Sequence, residues 1–224
     1  MGIKITNLTK KYDSFGMEIV ALGGIDLEFD DGELVAIIGE SGSGKTTLLN
    51  QLCGMDACDK GDIVVDGINL TNLSPNELCK MRRTKIGVIY QFYNLIPELN
   101  IRDNITLPVE LDGGTVDEGE LSEILKAVGL LGRERDFPSA LSGGQQQRAA
   151  LARALFQKPS LILADEPTGN LDEKNSEDIL NLLCRLNEEK RITIIIVTHS
   201  KVVADRAKRL ISLKNGRVIS DEVR

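Results

Sequence analysis

Hydrophobic residues follow two patterns along this chain, and each pattern predicts a different kind of strand. Near the N-terminus, Ile3, Ile5 and Leu8 alternate with polar residues, and the segments 19–21 and 25–29 do the same. Such period-two alternation is typical of antiparallel strands with one face in water. Nearly continuous apolar runs instead predict strands that are buried on both faces of a parallel sheet. These runs are 34–38, 86–90, 161–164 and 192–197.

Turn residues and helical spacing connect these predicted strands. Helices are predicted at 46–52 and 179–186, where apolar residues recur every three or four positions. The dipeptides Asp-Gly at 66–67 and Asn-Gly at 215–216 each stand between short apolar segments. Both dipeptides predict tight hairpin turns, because their residues readily adopt positive φ angles.

The middle of the chain predicts a helical lobe inserted into the sheet domain. From residue 94 to about 131, apolar residues fall at helical spacing. One face of this region carries Leu121, Ile124, Leu125 and Val128. We therefore expect a single domain over 1–224 with two parts. The β-rich core is expected at about 1–92 and 157–224, and the helical part at about 93–156.

Length and composition favour one globular α/β domain of a reduced compartment. The chain has 224 residues, of which 42% are hydrophobic and 27% charged, so a disordered chain is excluded. The four cysteines form no CxxC pair, and we expect them to be free thiols. No apolar run approaches the roughly 20 residues that span a bilayer. Any membrane role is therefore expected to require a partner protein.

The charge distribution argues against nucleic acid as a partner. The formal net charge is −7, whereas proteins that grip nucleic acid backbones usually carry a basic stripe. Lys80, Arg82, Arg83 and Lys85 form the one dense basic cluster, which we interpret as a solvated loop face.

Residues 39–46 fit the phosphate-binding pattern G-x-x-x-x-G-K-[ST], between a buried strand and a helix. Glycines let backbone N–H groups turn inward around phosphate oxygens, and the helix N-terminus adds partial positive charge. Lys45 supplies a full charge to the outer phosphates, and the Thr46 hydroxyl can ligate Mg²⁺. ATP and Mg²⁺ are therefore the expected cofactors. The candidate ATP-binding residues here are Gly39, Ser41, Gly42, Ser43, Gly44, Lys45, Thr46 and Thr47.

Two acidic residues end the apolar run 161–164. Asp165 is the candidate Mg²⁺ ligand, acting through water. Glu166 is the candidate general base that polarises the attacking water. A strand that ends in Asp-Glu is common on its own, so this assignment depends on the phosphate-binding loop.

A second glycine-rich helix start lies at Ser142, Gly143, Gly144 and Gln145. It predicts a second anion-binding cradle. One ATP already wrapped by the loop 39–46 does not need two cradles from one chain. We therefore infer that this second cradle serves an ATP held by another copy.

These segments closely resemble those of the ATP-binding cassette (ABC) ATPase family over nearly the whole chain. Residues 141–145 read LSGGQ, the family signature, and stand in the family order between the phosphate loop and the acidic strand end. The resemblance implies an α/β fold with a P-loop NTPase core and a mixed, mainly parallel sheet. It also implies an N-terminal antiparallel β subdomain and an inserted α-helical subdomain.

The resemblance also assigns roles to four residues that the spacing alone does not. Tyr12 stands where the family stacks an aromatic ring on adenine, and Gln91 where it contacts Mg²⁺ and water. Asp172 matches the loop that crosses the dimer interface, and His199 matches the histidine that contacts the γ-phosphate. Each assignment has an alternative that involves no ligand. Tyr12 would be a surface residue and Gln91 an ordinary amide at a strand end. Asp172 would be a helix N-cap and His199 a structural histidine.

The resemblance further implies partners and a location. Two copies are expected to sandwich two ATP molecules and to drive an integral membrane permease, on the cytoplasmic face of the cell membrane. The apolar residues of 92–99 form either a surface for that permease or part of the core.

The segments 91–97 and 164–172 resemble those of lipoprotein-releasing and macrolide-exporting ABC ATPases. ATPases of antimicrobial-peptide resistance share the same pattern. A cell-division ATPase whose membrane partner activates a cell-wall enzyme remains an alternative. So does a nucleic-acid machine, although such proteins separate the two nucleotide motifs with long insertions. A module that binds ATP without turnover is disfavoured, because Glu166 and His199 are both present.

Overall fold

The computed structural model describes residues 2–224, and within that range the chain forms ten strands and seven α-helices. The strands are β1 (Ile3–Ser14), β2 (Met17–Phe29), β3 (Leu34–Ile38), β4 (Lys60–Val65), β5 (Ile68–Asn69), β6 (Ile86–Ile89), β7 (Leu161–Asp165), β8 (Thr193–Thr198), β9 (Arg209–Lys214) and β10 (Arg217–Val223). The helices are α1 (Lys45–Leu52), α2 (Pro75–Thr84), α3 (Ile101–Leu111), α4 (Glu118–Ala127), α5 (Gly143–Phe156), α6 (Glu173–Lys190) and α7 (Lys201–Arg206).

The larger sheet has six strands in the order β10-β9-β3-β8-β7-β6. All neighbouring pairs in it are parallel except β9 and β10, which pair antiparallel. The four apolar runs of the sequence correspond to β3, β6, β7 and β8, so the prediction of buried parallel strands is confirmed. Because the carboxyl ends of parallel strands lie along one edge, the segments that follow β3, β6, β7 and β8 come together there.

A second, antiparallel sheet has the order β2-β1-β4-β5. The segments 19–21 and 25–29 belong to one long strand, β2, whose pairing with β1 is broken by register shifts. Both predicted hairpin turns are confirmed. Asp66 and Gly67 have φ angles of 50° and 79°, and Asn215 and Gly216 have φ angles of 49° and 71°.

Hydrophobic packing on both faces of the six-stranded sheet explains its apolar strands. Within β7, Leu161 and Leu163 pack with the antiparallel sheet and α1, whereas Ile162 and Ala164 pack with the helices on the other side. A strand buried on both faces can place no polar side chain without cost. The sheet is therefore a central layer, with α1 and the β subdomain on one side and α5 and α6 on the other.

The chain between β6 and β7 contains α3, α4 and α5, but it does not become helical where the sequence spacing predicted. Residues 94–100 form a loop, and α3 begins at Ile101, so the predicted helical start near Asn94 is wrong. Tyr93 and Asn94 have φ angles of 61° and 49°, which no right-handed helix accommodates.

Asn104 of α3 fixes the shape of this loop. Its side chain is 1% exposed. The side-chain oxygen accepts from the Ile96 N–H at 2.7 Å, and Nδ2 donates to the carbonyls of Ile96, Leu99 and Asn100 at 3.0, 2.9 and 3.0 Å. One buried amide therefore binds four backbone groups of the loop and of the N-cap of α3, where the Asn100 carbonyl also accepts from the Asn104 N–H at 2.9 Å.

Replacing Asn104 by Ala is expected to lower the free energy of unfolding by about 3 kcal/mol, because buried backbone groups of the loop lose their partner. Urea unfolding monitored by circular dichroism measures the change. The matched control is Asn72→Ala in an exposed turn, with an expected change below about 0.5 kcal/mol. Equal changes for the two variants would show that the Asn104 network contributes nothing.

The basic cluster at 80–85 is not the solvated loop face that the sequence suggested. Most of it belongs to α2, whose N-terminus is closed by a capping box between Ser74 and Glu77. Arg82 donates to the Gly54 carbonyl at 2.7 Å, and Arg83 pairs with Asp112 at 3.1 Å. These two charges therefore tie α2 to neighbouring segments.

Two further features of the described chain bear on its environment. The cysteines are free thiols, as predicted, and Cys53 is buried whereas Cys58, Cys79 and Cys184 are partly exposed. Among residues 2–224, no helix has the length and apolar character needed to cross a bilayer.

Candidate active site

The phosphate-binding loop connects β3 to α1 and depends on two closely packed glycines. Gly44, the N-cap of α1, has a φ angle of 102°, and a Cβ there would lie 2.5 Å from the Ala21 carbonyl oxygen. A Cβ on Gly39 would lie 2.3 Å from the Leu213 carbonyl oxygen. No other residue fits at either position. The glycines thus let the loop pack closely against β2 and β9. They also leave the N-terminus of α1 open to an anion.

Lys45 is held against its own loop. Its ammonium donates to the carbonyls of Gly39 at 2.8 Å and Glu40 at 2.9 Å. The ammonium charge is thus fixed beside the N-terminus of α1. There it adds to the partial positive charge of the helix end. Ser43 differs from its neighbours because its side chain is 4% exposed and faces the interior. Its N–H donates to the Glu40 carbonyl at 3.1 Å and its carbonyl accepts from the Gly216 N–H at 3.0 Å, so Ser43 helps to hold the shape of the loop.

A cavity of about 500 Å³ opens beside this loop. It brings together residues that lie far apart in the sequence. Its lining includes most of the predicted ATP-site residues: Tyr12, Ser41, Gly42, Gly44, Lys45, Thr46, Thr47, Gln91, Asp165, Glu166 and His199. Ile19, Val20 and Ala21 of β2 also line it, and the sequence analysis missed them. Their signal was only the strand alternation, which does not say what the exposed face contacts.

Three oxygen-bearing side chains that could hold a cation line the cavity. Thr46 Oγ1 lies 3.4 Å from Asp165 Oδ1, and Gln91 is also part of the lining. Burial raises the pKa of Asp165, and the charge of Glu166 raises it further. A bound cation would offset both effects. A hydroxyl, a carboxylate and an amide oxygen are the donors that Mg²⁺ prefers, and Mg²⁺ uses few protein ligands beside phosphate and water. The residues present therefore fit Mg²⁺.

Glu166 sits at the end of β7 in an unusual backbone conformation, with a φ angle of 47°. Its N–H donates to the Val197 carbonyl at 2.9 Å, which ties it to the neighbouring strand β8. Its carboxylate accepts from the Thr198 hydroxyl at 3.1 Å, and His199 Nδ1 lies 2.7 Å from the other oxygen. Only 14% of the Glu166 side chain is exposed, against 72% for His199. The candidate base is thus oriented by two neighbours, and the histidine faces the cavity mouth.

Tyr12 also lines the cavity, and two residues that the sequence analysis missed hold it there. Its hydroxyl donates to Asp56 Oδ2 at 2.7 Å, while Asp56 Oδ1 accepts from Lys10 at 2.8 Å. The Lys10 ammonium also lies 5.0 Å from the centre of the Tyr12 ring. Burial raises the pKa of Tyr12, and the contact with Asp56 adds to this, so the hydroxyl stays a donor. The ring is 39% exposed and so remains available to a ligand.

The signature residues lie outside this cavity, at the start of α5. Ser142 caps the helix and forms a capping box with Gln145. The side chain of Asn175 fills the space beside Gly144, since a Cβ there would lie 2.4 Å from the amide oxygen. Asp172 caps α6 through the Asn175 N–H at 2.8 Å. Asp172 is therefore a helix N-cap, as its alternative interpretation predicted. The cap does not prevent Asp172 from also contacting a second copy of the chain.

Comparison with known proteins identifies the family. A profile of the ABC transporter family matches residues 22–169. The lipoprotein-releasing system ATP-binding protein LolD of Francisella tularensis is 43% identical over 95% of this chain and 93% of LolD. The macrolide export ATP-binding/permease protein MacB of Hyphomonas neptunium is 43% identical over 98% of this chain, which covers 34% of MacB.

A solved structure is similar over the entire fold. The ATP-binding cassette MJ0796, in a dimeric post-hydrolysis state bound to ADP and Pi, superimposes with a TM-score of 0.91. It is 42% identical and covers 99% of this chain and 98% of its own. The predicted α/β fold with two subdomains and the resemblance to the LolD and MacB type are both confirmed. The chain belongs to the ABC transporter family, as an ATP-binding subunit that hydrolyses ATP.

Proposed function

We propose that two copies of this chain close head to tail around two Mg²⁺-ATP molecules and thereby drive a separate membrane permease. The observation that carries the proposal is the position of the signature. Ser142 and Gln145 form a capping box at the start of α5, outside the cavity that contains Lys45 and Glu166. Each cavity therefore presents one half of a site. The solved structures of MJ0796 are dimeric, which supports the same arrangement.

Within each site, each residue of the cavity has a separate role in ATP binding or hydrolysis. Lys45 and the N-terminus of α1 bind the outer phosphates, and Tyr12 offers its ring to the adenine. Thr46, Asp165 and Gln91 hold Mg²⁺, which neutralises phosphate charge when bound. Glu166 accepts a proton from the attacking water, and His199 contacts the γ-phosphate.

The signature of the second copy completes this site. Ser142, Gly143, Gly144 and Gln145 present a helix N-terminus to the same γ-phosphate from the opposite side. ATP then contacts both copies in the closed dimer and only one in the open form. Because ATP binds the closed form more tightly, it shifts the population toward closure, and hydrolysis reverses the shift. Asp172 lies in the loop that faces the partner copy.

The partner proposed from the relatives is a permease of the lipoprotein-release or macrolide-export type, which holds this subunit at the inner face of the membrane. A surface beside Gln91 supports such contact. Phe92 is 74% exposed and Ile96 37% exposed, whereas Leu95 packs against the core. Part of the segment 92–99 therefore packs against the core, as one of its two interpretations predicted. Its exposed apolar residues are available to a partner.

A photo-crosslinking amino acid at position 92, introduced in the native host, tests this partner. The expected product is a covalent adduct with a protein that has several membrane-spanning helices. The matched control places the same probe at Ile219 on β10, which is 62% exposed and lies on the far edge of the sheet. Equal crosslinking at both positions, or adducts with water-soluble proteins alone, would reject the proposed permease contact.

A further inference from the structure

A buried amide on α5 makes a single hydrogen bond, and that bond reaches the catalytic loop. The Gln147 side chain is 0% exposed, and its Nε2 donates to the Pro167 carbonyl at 2.7 Å. Its oxygen is also buried and has no hydrogen-bond partner among the described residues. Burying an amide with one unsatisfied atom costs stability, which an apolar side chain of the same size avoids. The bond to Pro167 is therefore the feature that a glutamine supplies here.

The acceptor of this bond follows the candidate base directly. Glu166 has a φ angle of 47°, a conformation that residues with a Cβ rarely adopt without support. Its N–H is held by the Val197 carbonyl, and its carbonyl accepts from the Gly169 N–H at 2.9 Å. The next residue is a proline, so no N–H is available at the following peptide. Gln147 instead holds this peptide through a hydrogen bond to the Pro167 carbonyl.

The same helix also holds the loop that follows Gln91. Arg153 of α5 donates to the Tyr93 carbonyl at 2.9 Å and to the Asn94 carbonyl at 2.5 Å. Both of these residues have positive φ angles. Thus α5 begins at the signature and then binds the backbone of two loops of its own chain that line the ATP cavity.

From these contacts we propose that Gln147 is a positioning residue that orients Glu166 from the helix that carries Ser142. In the dimer, Ser142 of a copy acts on the ATP held by the other copy, whereas Glu166 acts on the ATP of its own chain. The Gln147–Pro167 bond therefore links the cradle of one site to the base of the other. This inference depends on the proposed dimeric site.

Gln147→Met tests the proposal, because it keeps the volume of the side chain and removes the donor. We expect kcat to fall about tenfold, the effect of losing one hydrogen bond that orients the base, with KM for ATP changed less than about twofold. Gln157→Met, at the C-terminal end of the same helix, is the matched control and is expected to keep the wild-type kcat. An unchanged kcat in Gln147→Met would overturn the proposal.

A double-mutant cycle separates positioning from a purely structural role. If Gln147 acts through Glu166, the double variant with Glu166→Gln hydrolyses ATP as slowly as Glu166→Gln alone. A further tenfold loss in the double variant would overturn the proposal. If Gln147→Met does not fold, Gln147→Leu takes its place, because leucine favours a helix and cannot donate.

The dimeric site is tested separately, by ATP-dependent dimerisation of Glu166→Gln. If that dimer fails to form, the proposed function fails. If it forms while the Gln147 variant keeps its kcat, the inference about Gln147 fails alone.

Discussion

Glu166→Gln is expected to slow ATP turnover about a thousandfold while ATP binding is retained. The amide has the shape of the carboxylate and can keep its place beside Thr198 and His199, but it cannot accept a proton from water. ATP therefore stays bound between two copies and is not consumed. We expect the variant to elute as a dimer from a sizing column in ATP and Mg²⁺, and as a monomer without nucleotide. Phosphate release measures the turnover.

Glu123→Gln is the matched control for this variant. It makes the same chemical change on the exposed face of α4, and it is expected to hydrolyse ATP at the wild-type rate. If Glu166→Gln also hydrolysed ATP at the wild-type rate, Glu166 would not be the general base.

Lys45→Met is expected to weaken ATP binding about 10- to 100-fold and to remove most turnover, because a charged hydrogen bond to phosphate is lost. The methionine keeps most of the volume but loses the hydrogen bonds to the Gly39 and Glu40 carbonyls, so the free energy of unfolding should fall by about 1 kcal/mol. Isothermal titration calorimetry with ATP and Mg²⁺ measures the dissociation constant. In ADP the loss should be smaller, since Lys45 is assigned to the outer phosphates.

The control for Lys45 is Lys80→Met, which removes an exposed charge of α2. It separates the local contact from the general effect of making an acidic protein more acidic. Its dissociation constant for ATP should equal that of the wild type. An unchanged constant in Lys45→Met would contradict the role of this residue in binding phosphate.

The sequence predicted those parts of the fold that are governed by local pattern. Strands β3, β7 and β8 could be predicted because burial on both faces demands a nearly continuous apolar run. The loop at 94–100 was not readable, because its apolar residues imitate helical spacing. What decides its shape is the side chain of Asn104, which binds backbone groups up to eight residues away. No periodicity records such a contact.

The candidate site divides in the same way. Contiguous motifs gave the phosphate loop, the acidic end of β7 and the signature. The residues that orient them were missed, because each contact joins distant parts of the chain. Asp56 meets Tyr12 across 44 positions, and Gln147 meets Pro167 across 20. A lone Asp or Gln carries no signal of such a partner until the fold brings the two together.

The central claim is that each ATP site is built from two chains, and mixing two inactive variants tests it most directly. Lys45→Met removes the positive charge of the phosphate loop and leaves the signature intact. Ser142→Asp does the reverse, since Asp still caps α5 but places a negative charge in the anion cradle. Each variant alone should be inactive, because every site in either homodimer contains one damaged half.

In the mixed dimer, the intact loop of the Ser142 variant meets the intact signature of the Lys45 variant and forms one complete site. Random pairing makes half of the dimers mixed, so the mixture should show about a quarter of the wild-type ATPase rate. Measuring phosphate release from an equimolar mixture of the two variants decides the matter. Recovery of activity is the predicted result, and a mixture as inactive as its two components would contradict the account.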